Sequence, residues 1–473
     1  MSPFRAWHFP KGFTLTDQEI SEIPGEMGRG FAYPALSREK LSDLMAFLRE
    51  AREGGLADLP MGRVVEAVGR VARRLLEPGD ELRGRALEAM AAYAGYSAPM
   101  AKAVLDGMAR GWTVSSLHGL LNSEFRDPGV LDGFIPAPMG GQGRALGYPL
   151  SFHLGAGTVP GVATTSMIRS LLVKSAVLLK PGLGDLALPV VFAGGLEEED
   201  PELARAVAVA YWPSGDGFRT EKALEEADLV AAYAGDETIR WVRSRLPSRT
   251  ILRAYRHRLG AALIGRGALE LEEARYVARE AARAVALFDQ RGCVSPHVFL
   301  VEKGGEVGPE AWAELLAGAF SDLETELPSG EVAPEEAVAI QQIRGSAELA
   351  EGLGKTVVRH GEDRAPWTVI LQAEGPLEPS CLNRTVRVLP VDGFGSALAA
   401  LREWSPFLQT VGIVGFGDDE GELAENLARL GVSRIVSLAQ VPWPLPWWHH
   451  DGSGPLLDLV RWTDLEGPRG SPD

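Results

Sequence analysis

The stretch "FHLGAGTVPGVATTSMIRSLLVKSAVLLKPG", residues 152–182, decides the fold. An apolar run through Leu154 leads into a loop with several glycines, and a helical pattern then continues to about Ser175. A second apolar run ends at Lys180 and is followed by Pro-Gly. Strands that alternate with helices in this way are typical of a parallel sheet covered by helices on both faces. The stretch therefore predicts an α/β fold, an architecture that commonly binds nucleotides.

The alternation continues outward along the chain. The runs "AVAVAYW", "ADLVAAYA" and "TILRA" extend the first α/β region, and "HVFLVE", "WTVILQ", "TVRVLPV" and "LQTVGIVGF" predict a second one. Between Leu41 and Arg110, apolar residues instead recur at helical spacing in short blocks. At 473 residues the chain is too long for one simple core. We therefore predict two α/β lobes with parallel sheets and a helical N-terminal region.

Composition excludes several classes of protein. A formal charge of -17 and a pI near 5.1 predict a surface that repels nucleic acid and anionic membranes. No stretch approaches the roughly 20 apolar residues of a membrane span, and the N-terminus lacks an apolar signal core. The two cysteines cannot form a disulfide framework and fit a reducing compartment. We therefore expect a soluble cytoplasmic protein.

The glycine-rich loop and the end of the next strand are candidates for ligand binding. Small residues such as Gly157 let backbone N–H groups approach an anion, and the start of the following helix adds a favourable partial charge. Lys180 and Pro181 stand at the carboxyl end of a strand, the edge at which open parallel sheets bind ligands. Gly235, after another predicted strand, is a further candidate. Glycine-rich turns are also common without a ligand, and most lysines after strands are simply solvated, so both interpretations stay open.

Cys293 is the candidate nucleophile. It lies in "FDQRGCVSPHVFLVE", residues 288–302, between a predicted helix that ends just before Gly292 and a predicted strand. An isolated cysteine is usually a small buried apolar residue, whereas a reactive one needs thiolate character and access. The Gly, Ser and Pro around it favour an exposed turn. His257, in "AYRHRLGAAL", is a candidate proton donor, although a lone histidine is often structural.

A late aromatic segment, "WWHHDGSGPLLDLVRW", contains a group that resembles a metal site. Its members are His449, His450 and Asp451. No further His, Cys or Asp cluster at ligand spacing supports a metal, so we predict none.

The order of these features carries more information than any one of them. A Gly-rich turn ending in Val-Pro-Gly, a strand ending in Leu-Leu-Lys-Pro and a later cysteine resemble the aldehyde dehydrogenase superfamily. More narrowly, "LLVKSAVLLKPG", "FDQRGCVSPHVFLVE", "LQTVGI" and "HDGSGPLLDLVR" are similar to its acyl-CoA reductase branch, whose best-known members supply fatty aldehyde to bacterial luciferase. The resemblance covers roughly Pro149 to Arg461.

The resemblance implies a fold and a reaction. The fold would be aldehyde dehydrogenase-like, with a cofactor lobe and a catalytic lobe. Cys293 would attack a fatty acyl-CoA thioester, coenzyme A would leave, and the protein-bound thioester would accept hydride from a nicotinamide and give the aldehyde. Lys180 would grip the adenosine ribose, and the Gly-rich loop would help to hold the oxyanion. His257 would be a proton relay.

Three departures from the superfamily pattern refine this expectation. Arg258 stands where hydrolytic members carry a water-activating Glu, which favours transfer to or from a thiol over oxidation to an acid. Leu183 stands where many NAD-using members place a Glu against the ribose, so NADPH is expected, with NADH still allowed. Thr158 replaces an Asn oxyanion donor, so Thr158 and the backbone N–H of Cys293 would form the oxyanion hole.

The resemblance also guides the predicted domain bounds and the alternative functions. We predict a helical N-terminal region at 1–110, a cofactor-binding lobe at 111–255, a catalytic lobe at 256–440 and a C-terminal segment with the His-Asp-Gly loop at 441–473. Superfamily relatives are commonly oligomeric, so a homo-oligomer is expected. Two alternatives stay open: another acylating or acyl-phosphate reductase, and a weakly catalytic acyl-binding subunit. A partner protein that donates the acyl group is compatible with each.

Overall fold

The computed structural model describes residues 3–24, 30–138, 140–361, 367–372 and 376–466. The strands are β1 (Phe4–Arg5), β2 (Trp7–His8), β3 (Ile20–Ile23), β4 (Phe31–Pro34), β5 (Ile135–Pro136), β6 (Gln142–Gly147), β7 (Leu150–Leu154), β8 (Ala176–Lys180), β9 (Val207–Ala210), β10 (Leu229–Tyr233), β11 (Ile251–Tyr255), β12 (Leu259–Ile264), β13 (Pro296–Glu302), β14 (Thr356–His360), β15 (Thr368–Gln372), β16 (Thr385–Val391), β17 (Leu408–Val414), β18 (Arg434–Ser437) and β19 (Val460–Leu465).

The helices are α1 (Arg38–Ala51), α2 (Met61–Leu76), α3 (Glu81–Tyr93), α4 (Ala98–Arg110), α5 (Val114–Glu124), α6 (Val162–Leu172), α7 (Ala187–Glu199), α8 (Pro201–Ala204), α9 (Gly217–Glu226), α10 (Asp236–Arg245), α11 (Leu271–Ala286), α12 (Pro309–Glu326), α13 (Pro334–Gly352), α14 (Phe394–Leu401) and α15 (Glu420–Arg429). Short 3₁₀ turns and one π-helical turn, Arg52–Leu56, complete the pattern.

The chain forms two compact units. Unit 1 contains Met1–Ala94, Leu105–Arg256 and Leu445–Asp473, and unit 2 contains Gly95–Val104 and His257–Pro444. The four sequence segments proposed above as domains stay a prediction.

Unit 1 is built on a six-stranded sheet with the order β11-β10-β7-β8-β9-β2, in which only β2 is antiparallel. Every residue of β7 and β8 is buried, as expected for strands covered on both faces. Leu154 pairs with Lys180 at the carboxyl ends of these two strands. The parallel sheet predicted from residues 152–182 is therefore confirmed.

Unit 2 is built on a seven-stranded sheet with the order β14-β15-β16-β13-β12-β17-β18, in which only β14 is antiparallel. Its central strands β12 and β13 are fully buried. Leu263, Val298 and Val411 belong to one core cluster that packs these strands against α14 and α15. The predicted second α/β lobe is therefore confirmed.

Helices α1 to α4 account for the helical pattern predicted between Leu41 and Arg110. In α2 the side chains of Val64, Val68 and Val71 share one buried face at helical spacing. The residues before α1 add a short sheet with the order β1-β4-β3, which the helical prediction did not include. Among the described residues, no helix is long and apolar enough to cross a membrane.

Candidate active site

Two glycine-containing loops interlock at the carboxyl edge of the sheet in unit 1. The Gly155 N–H donates to the Lys180 carbonyl at 2.9 Å, which ties the ends of β7 and β8 together. A Cβ atom on Gly157 would lie 2.9 Å from the Leu183 nitrogen, and one on Gly182 would collide with the Gly157 backbone. Gly157 therefore has a packing reason to be glycine, while its proposed role toward a cofactor stays a prediction.

The start of α6 is capped from within the protein. The Asp185 carboxyl group accepts hydrogen bonds from the Gly161 N–H at 3.0 Å and the Ala163 N–H at 3.1 Å. Burial raises the pKa of Asp185 to about 8, although the two backbone donors lower it. These amides, which sequence analysis offered to an external anion, are thus engaged by Asp185. The signal, the Asp of "GLGD" at 182–185, was present in the sequence but not recognised.

Lys180 is a buried ammonium group at this same edge. It is only 4% exposed, and its Nζ atom lies 5.5 Å from the centre of the Tyr211 ring. Burial lowers the pKa of Lys180 to about 8, and no carboxylate among the described residues counteracts this. Buried charges are normally paired, so this ammonium is suited to an oxygen-rich ligand. Pro181, also buried, follows it directly.

The remaining candidates in unit 1 are more exposed. The Thr158 side chain is exposed in the loop between β7 and α6. Gly235 caps α10 with an ordinary negative φ, and a Cβ atom there would meet nothing within 4 Å. The Leu183 side chain is 55% exposed. It is apolar, whereas the resemblance implies a ribose-binding Glu at this position in many NAD-using members. The cofactor roles of these positions stay predictions.

In unit 2 the loop that carries Cys293 begins with an unusual backbone turn. Helix α11 ends at Ala286, earlier than the predicted end before Gly292. Phe288, Asp289 and Gln290 follow with φ of 60°, 49° and 62°, which is the left-handed region. Cys293 is then partly exposed at the amino end of β13. The predicted turn around the cysteine is confirmed, and the helix end is corrected because three non-glycine residues adopt a conformation that composition does not reveal.

Gln290 ties this loop to its neighbours. Its Nε2 atom donates to the carbonyls of Pro296 at 2.9 Å and Thr385 at 2.8 Å. Its Oε1 atom accepts from the Thr385 N–H at 2.9 Å and the Ser380 hydroxyl at 3.2 Å. The side chain is fully buried, so the amide satisfies both its donors and both lone pairs of its oxygen. Sequence analysis missed this residue.

A buried ion pair lies beside Gln290. The Arg384 Nε and Nη2 atoms donate to Asp289 Oδ1 at 3.1 and 2.8 Å. Arg384 Nη1 donates to Glu324 Oε2 at 2.8 Å and to the Leu327 carbonyl at 2.9 Å. Burial raises the pKa of Asp289, and the Arg384 charge offsets part of that rise. Because both side chains are almost fully buried, removal of either would leave an uncompensated charge.

Strand β12 approaches the Cys293 loop closely at Gly260. A Cβ atom on Gly260 would lie 2.5 Å from the Ser295 carbonyl oxygen and 2.6 Å from that of Val294. The register of β12 shifts at this point against both neighbouring strands, and such irregularities are frequent beside active sites. Arg258, just before it, donates to the Pro406 carbonyl at 2.8 Å. The resemblance places Arg258 where hydrolytic members carry a carboxylate base, and its guanidinium has no basic lone pair.

Two histidines of unit 2 differ in their exposure. His257 is exposed. His297 is buried, and its Nδ1 atom accepts from the Ser380 N–H at 3.1 Å. Burial, with a smaller contribution from His257, lowers the pKa of His297 to about 4, so His297 is neutral near pH 7. The proton relay predicted for His257 remains untested.

Arg434 is the charged neighbour of Cys293 that sequence analysis missed. Its Nη1 and Nη2 atoms donate to the carbonyls of Val441 at 2.8 Å and Gln440 at 2.7 Å. Burial lowers the pKa of Arg434 to about 10, and the negative charge of a Cys293 thiolate raises it. The guanidinium is therefore held in a fixed position and interacts electrostatically with the sulfur. A nearby cation favours a thiolate over a thiol.

The aromatic C-terminal segment belongs to a stack of rings in unit 1. The His450 ring stacks on Tyr255 at 4.7 Å and on Trp448 at 4.6 Å, and Tyr255 stacks on Tyr233 at 4.4 Å. His449 Nε2 lies 3.9 Å from Glu124 Oε1. Among the described residues, no group of three or more His, Cys, Asp or Glu side chains is arranged to hold a metal.

The predicted site residues thus fall into two sets. Gly157, Lys180 and Pro181 meet at one edge of the sheet in unit 1. Cys293 and His257 precede neighbouring strands of the sheet in unit 2. A glycine-rich edge with a buried lysine in one parallel sheet, and a cysteine before a strand of another, are the features expected of an aldehyde dehydrogenase-like fold.

Solved structures share this fold. The NAD-dependent aldehyde dehydrogenase from Sinorhizobium meliloti superposes with a TM-score of 0.77 at 14% identity, covering 100% of this chain and 96% of that one. The NADP-dependent glyceraldehyde-3-phosphate dehydrogenase from Bacillus halodurans C-125, solved with NADP, gives a TM-score of 0.73 at 13% identity, covering 95% and 96%. These likenesses establish the aldehyde dehydrogenase-like fold predicted from the sequence.

Sequence comparison identifies the branch. The model of the acyl-CoA reductase (LuxC) family matches residues 56–462, and the chain belongs to this family. It is 25% identical over 423 residues to the long-chain acyl-protein thioester reductase of Aliivibrio fischeri, covering 87% of this chain and 83% of that protein. It is 23% identical over 385 residues to long-chain acyl-protein thioester reductase 2 of Photobacterium leiognathi, covering 80% and 76%. The resemblance inferred from the motifs is therefore confirmed.

Proposed function

We propose that this protein reduces long-chain acyl thioesters to aldehydes, with NADPH as the preferred reductant and Cys293 as the nucleophile. The observation that carries the proposal is the setting of Cys293: a partly exposed thiol just before a central strand, whose thiolate charge acts on the buried guanidinium of Arg434. A thiolate is the nucleophilic form of cysteine. A fixed cation beside it supports a role in covalent catalysis.

The first step would be acyl transfer to the enzyme. The Cys293 sulfur forms a new bond to the thioester carbon, the bond between that carbon and the donor sulfur breaks, and the donor leaves as a thiolate that takes a proton from solvent. Arg258 donates to a carbonyl and cannot accept a proton from water. The acyl-enzyme is therefore expected to hydrolyse slowly, which keeps it available for reduction.

The second step would be reduction of the acyl-enzyme. Bound NADPH supplies a hydride to the acyl carbon. Lys180 fits the cofactor because its buried ammonium has no carboxylate partner among the described residues, and Gly157, Pro181 and Gly235 are the other proposed contacts. The Thr158 hydroxyl and the Cys293 N–H are proposed to stabilise the oxyanion. Breakage of the carbon–sulfur bond of the reduced adduct then releases aldehyde and restores the Cys293 thiolate.

The identity of the acyl donor is a separate part of the proposal. The family is named for reduction of acyl-CoA, whereas the two relatives are named as acyl-protein thioester reductases. Both donors present the same thioester to a cysteine. We propose long-chain acyl-CoA as a competent donor, a partner protein as an alternative donor, and a homo-oligomer acting in the reducing cytoplasm.

Aldehyde production tests the proposal. The purified chain, mixed with NADPH and either tetradecanoyl-CoA or acetyl-CoA, should form aldehyde faster from the long-chain thioester. Preference for acetyl-CoA or an acyl phosphate would favour another reductase of the superfamily. Acylation of Cys293 without hydride transfer from NADPH or NADH would favour the acyl-binding subunit.

A further inference from the structure

We propose that Gln290, supported by the Asp289–Arg384 ion pair, is a positioning residue that fixes the loop carrying Cys293. The inference deepens the proposed function, because it rests on Cys293 being the nucleophile. It concerns contacts made entirely within unit 2.

Two strained backbone turns meet at this loop. Among the described residues, eight non-glycine residues have positive φ, and six of them form two triplets, 288–290 and 382–384. Left-handed conformations of non-glycine residues persist only where the surrounding structure enforces them, and they concentrate at functional sites. One triplet directly precedes residues 291–295. The contacts that hold its backbone therefore also restrain the loop that carries Cys293.

The Gln290 amide closes that loop. Gln290 and Pro296 flank residues 291–295, and the Gln290 Nε2 donates to the Pro296 carbonyl at 2.9 Å. One side chain therefore joins the two ends of the segment that contains Cys293. The same amide exchanges two hydrogen bonds with the Thr385 backbone at the start of β16, which fixes the closed loop against the next strand of the sheet.

The ion pair locks the two triplets to each other. Asp289 belongs to the first triplet and Arg384 to the second, and two guanidinium nitrogens hold one carboxylate oxygen. The other carboxylate oxygen accepts from the Gly330 N–H at 3.1 Å. Arg384 is also held by Glu324. A shift of the Cys293 loop would have to break buried, charge-assisted bonds.

If Gln290 were only a core residue, its burial would be explained. The placement of its hydrogen bonds at the end of the Cys293 loop would not. Unit 2 offers a matched comparison in Gln372, another buried glutamine. Its Nε2 donates to the Pro376 carbonyl at 3.1 Å, and its Oε1 accepts from Arg387 at 3.2 Å. Gln372 lies at the end of β15, and these two hydrogen bonds do not involve residues 291–295 of the Cys293 loop. Loss of its amide therefore reports the effect of losing buried hydrogen bonds alone.

The experiment compares Gln290→Met with Gln372→Met in the full-length chain. Cys293 is alkylated with iodoacetamide over a range of pH, and peptide mass spectrometry follows Cys293 separately from Cys381. In Gln290→Met the pH midpoint of Cys293 alkylation should move to that of an unstructured cysteine peptide measured alongside. Acylation of Cys293 by tetradecanoyl-CoA should slow at least tenfold. Gln372→Met should retain the wild-type values of both.

Controls separate the possible failures. Thermal unfolding establishes that each variant is folded at the assay temperature. If Gln290→Met does not fold, Gln290→Glu replaces it, because its carboxylate keeps the shape of the side chain but lacks both N–H donors. A wild-type chain that is never acylated would contradict the proposed function, while the alkylation profile would still decide the positioning role. A folded Gln290 variant with the wild-type alkylation profile would overturn the positioning role.

Discussion

Unit 1 and unit 2 carry their candidate residues at opposite ends of their parallel strands. In unit 1 Lys180 ends β8, so the candidates lie at the carboxyl edge of the sheet. In unit 2 His257 and Cys293 precede β12 and β13, so the candidates lie at the amino edge. Ligands of open α/β sheets bind at the carboxyl edge, and only unit 1 follows that rule.

The two edges also differ in construction. At the edge in unit 1, the backbones of two glycine-containing loops pack directly against each other. The buried ammonium of Lys180 at this edge has no carboxylate partner among the described residues. The edge in unit 2 is tied by side chains, with Gln290 and Arg384 each making four hydrogen bonds. The difference fits the proposed division of labour, in which one edge would receive a ligand and the other would hold a reacting atom in place.

Removal of the nucleophile should have the largest effect. Cys293→Ala should lower aldehyde formation by on the order of 10³-fold or more, because the proposed acyl-enzyme forms on the Cys293 sulfur. Thermal unfolding should be close to wild type, since Cys293 is only partly buried. Cys381→Ala serves as the control, and a Cys293→Ala enzyme with substantial activity would refute the covalent scheme.

Arg434→Met should have the next largest effect. Loss of a cation that favours the thiolate should reduce the rate of acylation at pH 7, by on the order of tenfold. A rise in pH should restore much of the rate, because hydroxide then generates the thiolate. The measurement is the pH dependence of acylation, with Arg387→Met as the matched arginine control. An unchanged pH profile would mean that Arg434 has only a structural role.

Lys180→Met should act on cofactor binding alone. The dissociation constant for NADPH, read from its fluorescence, should rise about tenfold, since an ion pair and its hydrogen bonds are lost. Because the pKa of Lys180 is lowered to about 8, the ammonium form is present below that pH and lost above it. Wild-type affinity should therefore weaken as pH rises through 8, more steeply than that of Lys180→Met. Equal slopes would remove Lys180 from the cofactor site.

Asp185→Asn should have the smallest effect. A single amide oxygen cannot accept from both the Gly161 and Ala163 N–H groups as the two carboxyl oxygens do. Loss of one helix-capping bond should lower the free energy of unfolding by about 1 kcal/mol. Urea denaturation measures this change. An effect on acylation of Cys293 comparable to that of Arg434→Met would contradict the division of labour between the two edges.

Local pattern was enough to predict the strand ends and the residues placed on them. Lys180 and Cys293 were found because each follows or precedes a short apolar run with turn residues beside it. The Lys180 burial and the early end of α11 were not predictable in this way. The left-handed turn at 288–290 has no glycine, so its sequence does not signal a break.

Several residues missed by sequence analysis act through partners far away in the chain. Gln290 and Thr385 are 95 positions apart, as are Asp289 and Arg384. Gly260 is required by the approach of carbonyls from the Cys293 loop. No local pattern contains such pairs, because they exist only after the parallel strands have been ordered in the sheet.

The central claim is that Cys293 carries the acyl group, and intact-protein mass tests it most directly. The wild-type chain and Cys293→Ser are each mixed with a long-chain acyl-CoA in the absence of nicotinamide. The account predicts an acyl-sized mass increment on the wild type alone, which disappears as aldehyde forms when NADPH is added. A folded wild-type chain with a titratable Cys293 thiol and no increment, or the same increment on Cys293→Ser, would contradict it.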